Sequence, residues 1–293
     1  MTFVFPIELT DDRRVIGRFP VPAVLTGEDR RSVFLKSVKK IGGNGVVFRA
    51  SRGSKHGPAC AVKMLRRQDA VRVDRFRNEI RIQKLLTHER IAELLHHGVW
   101  DADPGVSVPW AAMSLADDNL REDVEARGPL VGRKLLMAAL DMCAAVGHIH
   151  SKGILHRDIK PDNFVWKNGR IVMIDFGIAK RFDESLEGRP MDNVTLEDEF
   201  VGPAQWASPE LIAYHRDKKH SVDARSDIFM LGKVIWYLAI GRGSAGIPSV
   251  RFCPMGGGIH RIVTACLQEH PDDRPGSVGD VEAMLREILA TQP

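Results

Sequence analysis

The stretch LLMAALDMCAAVGHIH, residues 135–150, is apolar almost throughout and constrains the fold more than any other part of the chain. A helix that is apolar on most of its sides has to be buried on most of its sides. Gly153 follows it, and glycine is the residue that most often ends a helix. The chain has 293 residues, of which 44% are apolar, so it has enough material to enclose such a helix. We therefore predict a largely helical core around this segment.

The residues before this helix have a different character. From Ser32 to Val62 the sequence is rich in valine, phenylalanine, isoleucine and glycine, and the turns GGNG and RGSKHGP interrupt it. This pattern predicts two or three short antiparallel strands. Residues 69–86 have apolar side chains at helical spacing and predict one amphipathic helix, while residues 91–100 and 108–115 predict two more strands.

The residues after the apolar helix predict a hairpin over 163–177, a second apolar helix over 226–241 and an amphipathic terminal helix that follows Ser277. The sequence therefore predicts an α+β fold with two lobes. Residues 1–31 are an extension that either wraps a lobe or is mobile. Residues 32–116 form a small antiparallel β lobe with one main helix, and residues 117–293 form a larger helical lobe.

Charge and composition exclude several classes of function. The net charge of +4 suits an acidic ligand such as a nucleotide but is too mild for a nucleic-acid-binding protein. The four cysteines form no C-x-x-C pair, which is typical of buried thiols in a reducing cytosol. No apolar run approaches the length that spans a bilayer, and the N-terminus lacks the basic region of a signal peptide. We expect a cytoplasmic protein without a membrane segment.

The stretch LHRDIKPDNFVW, residues 155–166, crowds charged and amide side chains between apolar ones. Asp158 can accept a proton from a hydroxyl, and Asn163 offers a neutral oxygen to a hard cation. Lys160 adds a positive charge beside them. Asp175, in IDFG, comes twelve residues after Asn163 and supplies a second oxygen ligand. Metal-assisted phosphoryl transfer needs this set of groups, although the stretch alone also fits a solvated turn.

Three features upstream point to the same chemistry, and each is weak alone. Lys63, in CAVKML, lies on a predicted strand and can hold phosphates if an anion fixes its position. Glu79, on the amphipathic helix, is the candidate anion. The turn in IGGNGVVF has the bare backbone that phosphates can approach, although an ordinary hairpin turn would look the same.

Taken in order, these segments resemble the signature set of the Hanks-type Ser/Thr protein kinases. The matching segments are Gly42–Gly45, Lys63, Glu79, His156-Arg157-Asp158 with Asn163, Asp175-Phe176-Gly177 and Ala207-Ser208-Pro209-Glu210. The resemblance extends from Ser32 to Ala290 and implies a two-lobed protein-kinase-like fold. It also implies that Asp227, from a buried position, braces the catalytic loop, which contains Asp158 and lies within residues 155–166. It further implies that Arg274 pairs with Glu210.

The resemblance implies a role for each site residue. Asp158 is the catalytic base, Lys160 contacts the γ-phosphoryl group, and Lys63 paired with Glu79 holds the phosphates of ATP. Asn163 and Asp175 hold Mg²⁺, which Mn²⁺ can replace. The remaining nucleotide contacts would come from Ile41, Gly42, Gly43, Asn44, Gly45, Val47, Ala61, Met113, Ser114, Ala116 and Val165. The implied partners are ATP and a protein substrate, which includes a second copy of the chain if the kinase phosphorylates itself.

Three positions depart from the family pattern. The glycine turn is about two residues short, Pro203 stands where a threonine is usual, and Gln83 stands where an apolar residue is usual. These departures keep open a pseudokinase that binds ATP as a scaffold. A small-molecule kinase is the other alternative, but such kinases usually lack the equivalents of Glu210 and Arg274.

Activation is a separate question. Arg157 can pair with a phosphate on Ser185 or Thr195. We hypothesise instead that it pairs with an acid of the activation loop, for which the sequence offers Glu197, Asp198 and Glu199. A solvated acidic loop is the alternative.

Overall fold

The computed structural model describes residues 3–11, 14–42, 45–181, 205–217, 221–243, 248–253 and 256–291. The chain divides into two compact units. The first comprises Met1–Thr87 and Ala92–Ala116, and the second comprises His88–Ile91 and Asp117–Pro293. None of the helices in the described ranges combines the length and the apolar character that crossing a membrane requires.

The first unit is built on a six-stranded antiparallel sheet. Its strands are β3 (Val24–Thr26), β4 (Ser32–Ile41), β5 (Gly45–Arg52), β6 (Ala59–Leu65), β7 (Leu94–Asp103) and β8 (Val106–Ser114). Their order in the sheet is β3-β4-β5-β6-β8-β7. Helix α1 (Ala70–Gln83) connects β6 to the β7–β8 hairpin. The predicted strands and the predicted amphipathic helix are confirmed.

Both faces of this sheet are covered, as the alternation of side chains along its strands shows. Residues of one parity, such as Phe48, Val62 and Trp110, form one apolar cluster. Residues of the other parity, such as Ala61 and Met113, pack against α1. Lys63 has the same parity as Ala61 and therefore lies on the α1 face.

The N-terminal residues form a hairpin of β1 (Phe3–Asp11) and β2 (Arg14–Pro22), and β3 then joins the sheet. Ile7, Leu9 and Val21 are at most 3% exposed and belong to the cluster on the sheet face opposite α1. The hairpin is therefore packed against the β sheet of the first unit.

The second unit surrounds α3 (Gly132–Ser151), which is the apolar helix on which the sequence prediction centred. The other elements of this unit are α2 (Leu120–Arg127), β9 (Ile154–Leu155), β10 (Phe164–Lys167), β11 (Arg170–Met173), β12 (Lys180–Arg181), α4 (Pro209–Asp217), α5 (Ala224–Ile240), α6 (Gly256–Cys266) and α7 (Val278–Thr291). Helix α3 packs against α5, α7 and β11. The predicted β10–β11 hairpin is confirmed, and Asn168 and Gly169 make its turn with φ values of 51° and 72°.

Candidate functional site

Lys63 and Glu79 form an ion pair in the first unit. The Lys63 Nζ atom lies 2.9 Å from Glu79 Oε1 and 2.7 Å from Oε2. The Glu79 side chain is only 5% exposed and that of Lys63 is 25% exposed, so water screens this pair less than a surface pair. Phe76 lies one turn before Glu79 on α1, and its ring centroid is 5.7 Å from Lys63 Nζ. The ammonium group is therefore held by a carboxylate and an aromatic ring of the same helix.

Three of the predicted nucleotide contacts lie in one apolar cluster on the same face of the sheet. Ala61 and Met113 are buried there with Phe76, and Val47 is partly buried against them. Val47 is also the direct neighbour of Lys63 in the β5–β6 ladder. An apolar surface therefore adjoins the charged pair.

The glycine turn between β4 and β5 is tight. The Gly42 N–H donates to the Gly45 carbonyl oxygen over 2.8 Å, and the adjacent Ile41 side chain is 58% exposed. A Cβ atom on Gly45 would lie 2.8 Å from the Met64 carbonyl oxygen, so only glycine fits at this position. Gly43 and Asn44 lie outside the described residues.

Ser114 and Ala116, two of the predicted nucleotide contacts, lie at the end of β8 and just after it. The Ser114 N–H donates to the Glu93 carbonyl oxygen over 3.1 Å, which fixes the end of the strand. The Ala116 carbonyl oxygen accepts a hydrogen bond of 2.5 Å from Lys39 Nζ. No local pattern marks this lysine, which is 77 positions away from Ala116.

The catalytic loop of the second unit brings Asp158, Lys160 and Asn163 together. Lys160 Nζ donates to Asp158 Oδ1 over 2.9 Å and to Oδ2 over 2.7 Å. Asn163 Nδ2 donates to the Asp158 carbonyl oxygen over 2.8 Å and to Oδ2 over 3.0 Å. Burial acts to lower the pKa of Lys160, but the charges of Asp158 and Asp175 outweigh it, so its pKa lies above the usual range. Lys160 therefore carries a full positive charge at neutral pH.

Asp175 lies next to Asn163 because of the β10–β11 hairpin. The Ile174 N–H donates to the Asn163 carbonyl oxygen over 2.8 Å, which brings the two predicted metal ligands to the same end of the hairpin. Asp175 has a φ of 65°, and its Oδ1 atom accepts the Gly177 N–H over 3.2 Å. Because Asn163 Nδ2 is committed to Asp158, its amide oxygen is the remaining ligand atom. An amide oxygen and a carboxylate are hard ligands and fit a divalent cation such as Mg²⁺.

Asp227 braces the catalytic loop from a fully buried position. It accepts the His156 N–H over 2.8 Å, the Arg157 N–H over 2.9 Å and the His150 Nε2 group over 2.8 Å. Burial acts to raise the pKa of Asp227, but the hydrogen bond and charge of His150 outweigh it and hold that pKa below its usual range. Arg157 needs this support because its φ is 65°, in the left-handed region. The predicted buried, bracing position of Asp227 is confirmed, whereas the sequence did not indicate its hydrogen bond with His150.

Arg274 and Glu210 form the predicted buried ion pair. Arg274 Nη1 lies 2.7 Å from Glu210 Oε1, and Nη2 lies 2.9 Å from Oε2. Arg121 of α2 and Asp162 of the catalytic loop form a second ion pair, in which the guanidinium binds both carboxylate oxygens. The sequence did not indicate this pair. Arg121 lies 41 positions from its partner, and no local pattern marks it.

Most of the activation loop (residues 178–207) lies outside the described residues. The excluded positions include Ser185, Thr195, Glu197, Asp198, Glu199 and Pro203. The Arg157 guanidinium lies 5.4 Å from the Tyr214 ring centroid. Gln83 is described, and its Nε2 donates to the Ala92 carbonyl oxygen over 2.9 Å. The polar residue thus attaches the end of α1 to the segment before β7.

Comparison with known proteins agrees with this arrangement. The family model described as the protein kinase domain matches residues 36–245, which is more than half of the chain. Probable serine/threonine-protein kinase CE0033 of Corynebacterium efficiens is 35% identical over 191 residues, which cover 64% of this chain and 27% of the relative. Serine/threonine-protein kinase PknB of Mycolicibacterium smegmatis is 29% identical over 247 residues, which cover 77% of this chain and 38% of the relative.

A third relative, probable serine/threonine-protein kinase PknB of Corynebacterium glutamicum, is 34% identical over 213 residues, which cover 71% of this chain and 31% of the relative. The chain therefore spans less than two-fifths of the length of these curated relatives. The two-lobed α+β fold, the ion pairs and the family match agree with one another. The chain belongs to the protein kinase family, with a kinase domain of the Hanks-type Ser/Thr class.

Proposed function

We propose that this chain transfers the γ-phosphoryl group of ATP to serine or threonine hydroxyls of proteins, including those of its own copies. The observation that carries this proposal is the loop in which Lys160 and Asn163 both bind the Asp158 carboxylate. Two donors fix the orientation of that carboxylate before a substrate arrives. Such preorganisation is the main contribution that a protein can make to phosphoryl transfer.

The reaction follows from these groups. The oxygen of the substrate hydroxyl forms a bond to the γ-phosphorus, and Asp158 accepts the proton of that hydroxyl. The bond from that phosphorus to the bridging oxygen breaks, and ADP leaves with the electron pair. Lys160 remains protonated throughout, because neighbouring carboxylates raise its pKa, and its charge offsets the negative charge of the transferring group.

We assign the metal site to Asn163 and Asp175, with Mg²⁺ as the ion and Mn²⁺ as a substitute. A divalent ion at these oxygens supplies positive charge to the phosphates. The support is the donor set and the β10–β11 hairpin, which bring both residues to one end. The Gly177 N–H orients the Asp175 carboxylate through its bond to Oδ1.

We assign phosphate binding in the first unit to Lys63, with Glu79 as the residue that positions it. Adenine contacts are proposed for Val47, Ala61 and Met113, on the strength of their common apolar cluster. The other proposed nucleotide contacts are Ile41, Gly42, Gly43, Asn44, Gly45, Ser114, Ala116 and Val165. The four free cysteines fit a reducing compartment, and we place this activity in the cytoplasm as part of the same proposal.

The test is phosphate transfer from labelled ATP with Mg²⁺, using the chain alone and with a basic protein as acceptor. We expect Asp158→Asn to lower the rate by a factor of about 10² to 10⁴, the usual range for a general base. Asp162→Asn is the matched control, since the same chemical change falls in the same loop on a residue paired with Arg121. That control should retain most of the activity.

The outcomes separate the alternatives. Label on serine or threonine that disappears in Asp158→Asn supports the proposal. Stabilisation by Mg²⁺ and ATP without label would instead indicate a scaffold that binds nucleotide. Incubation of the active chain with the Asp158→Asn chain tests phosphorylation between copies, because label on the inactive chain can arise only in that way.

A further inference from the structure

The β6–α1 linker (residues 66–69) separates the two partners of the Lys63–Glu79 pair. Lys63 lies on β6 just before this linker, and Glu79 lies on α1, which begins just after it. Four residues therefore connect β6 to α1, whose position also depends on its packing against the sheet. An element that restrains this linker helps to set the distance between the ammonium and the carboxylate.

Strand β1 is hydrogen-bonded to this linker. The Thr10 N–H donates to the Arg66 carbonyl oxygen over 3.1 Å, and the Gln68 N–H donates to the Thr10 carbonyl oxygen over 2.7 Å. These two bonds make a short parallel bridge between Thr10 and Arg67. Arg66 Nε also donates to the Glu8 carbonyl oxygen over 3.0 Å. Backbone groups of the linker are thus paired with the N-terminal hairpin.

The hairpin is itself anchored on the other face of the sheet. Ile7 and Leu9 of β1 and Val21 of β2 are almost fully buried among the residues of that face. Their removal from water holds the hairpin in place, because buried apolar surface is the main stabilising contribution in a fold of this kind. The hairpin therefore presents Thr10 to the linker from a fixed position.

The linker passes this constraint to the first turn of α1. Asp69 directly follows Gln68 and is the N-cap of the helix, where its Oδ1 atom accepts the Arg72 N–H over 3.2 Å. The same oxygen binds Arg72 Nη1 at 3.0 Å. Since a helix is a stiff element, a fixed N-cap restricts the position of Glu79 ten residues further along.

We propose that the β1–β2 hairpin is a built-in positioning element, which holds α1 through the Thr10 bridge so that Glu79 stays paired with Lys63. Thr10 acts as a positioning residue through its backbone and is not catalytic. The inference rests on the proposed kinase function for its effect on rate. Its structural part, the coupling of the hairpin to α1, stands independently of that function.

The test compares Thr10→Pro with Thr10→Val in the full chain. Proline removes the N–H that bonds to Arg66. In an antiparallel strand the N–H and C=O of one residue point the same way. Those of Thr10 both serve the linker, so proline there takes no bond from the β1–β2 ladder. Valine keeps the N–H and the β-branched shape and removes only the hydroxyl.

Two measurements decide the proposal. Hydrogen exchange, followed without nucleotide, should be faster over residues 66–79 in Thr10→Pro and unchanged in Thr10→Val. The kcat of Thr10→Pro should fall by on the order of 100-fold, the loss that a displacement of about an ångström can cause. In a Lys63→Met background the proline should cause no further loss, because the pair that it positions is already absent.

The contrary results are equally clear. If Thr10→Pro leaves both α1 exchange and kcat unchanged, the hairpin does not position α1, even where its own strands exchange rapidly. If Thr10→Pro exchanges faster over α1 but keeps the kcat of the unmodified chain, the claim that the hairpin affects the reaction rate is overturned. If Thr10→Pro lowers kcat further in the Lys63→Met background, the proline acts by destabilising the protein in general and not by displacing Glu79. If the unmodified chain has no activity, the proposed function fails while hydrogen exchange still tests the coupling.

Discussion

Replacing Asp227 by asparagine tests how much the hydrogen bonds of this buried carboxylate to the catalytic loop and to His150 stabilise the protein. The carboxylate accepts three hydrogen bonds from His150, His156 and Arg157. An amide of the same shape has one oxygen and one NH₂ group. The oxygen can retain the two donors that share Oδ2, but the NH₂ group then faces the Arg157 N–H. One hydrogen bond to a charged group is lost, and a buried N–H is left without an acceptor.

The magnitude follows from those two losses. A hydrogen bond to a charged group contributes about 1.5–3 kcal/mol, and an unpaired buried donor costs about 1–3 kcal/mol, so we expect a loss of about 3 kcal/mol. At roughly 2–4 °C per kcal/mol for a unit of this size, the melting temperature should fall by about 6–12 °C. Calorimetry at pH 7.5 on the chain and on Asp227→Asn measures this difference.

The pH dependence gives a second check on the same residue. The folded pKa of Asp227 is depressed, so its contribution to stability is complete above the unfolded pKa of about 3.9 and is lost as the pH falls through the folded pKa. The difference in melting temperature between the two proteins should therefore be constant above about pH 5 and shrink below about pH 4. Equal stability of the two proteins at pH 7.5, or a constant difference down to pH 3, would refute this account of the brace.

Three further outcomes are expected. Arg274→Met should lower the free energy of unfolding by about 3–5 kcal/mol, measured by urea denaturation, since it leaves Glu210 without its buried partner. Asp141→Asn should cost about 2–4 kcal/mol in the same assay, because Asp141 accepts bonds from two arginines and a backbone N–H, and equal midpoints would contradict this. All four cysteines are buried, and burial raises the pKa of Cys266 to about 12, so a thiol reagent at pH 8 should label no cysteine within minutes in the native chain and all four in urea.

The sequence predicts those parts of the structure that are encoded locally. The spacing of apolar residues suffices for α1, α3 and the sheet strands, because each pattern lies within one element. The resemblance to kinases leads to the buried Asp227 and to the Arg274–Glu210 pair. The roles of Lys63, Asp158 and the metal ligands remain proposals, although their contacts agree with those roles.

Contacts between distant segments were not predictable in the same way. His150 binds Asp227, and Lys39 binds the Ala116 carbonyl oxygen, each across 77 positions. In the sequence, a basic residue at either position cannot be distinguished from an ordinary solvated side chain. The strands of the β1–β2 hairpin were not predicted, because the segment contains prolines, which usually disfavour strands. Pro6 and Pro20 pair with each other across this hairpin, and Pro6 has the same parity along β1 as Thr10, whose backbone groups point away from β2. The two prolines therefore take no hydrogen bond from the ladder.

The sheet of the first unit is covered on both faces, by α1 on one and by the N-terminal hairpin in the cluster on the other. Strands exposed on one face tolerate substitution at every second position. Strands β6 and β8 instead read ACAVKML and VSVPWAAMS, with consecutive buried residues. A mutational scan of these strands should therefore show intolerance without a two-residue period. The N-terminal hairpin therefore restricts the residues that one face of this sheet can carry, although it lies outside residues 36–245, which the family model matches.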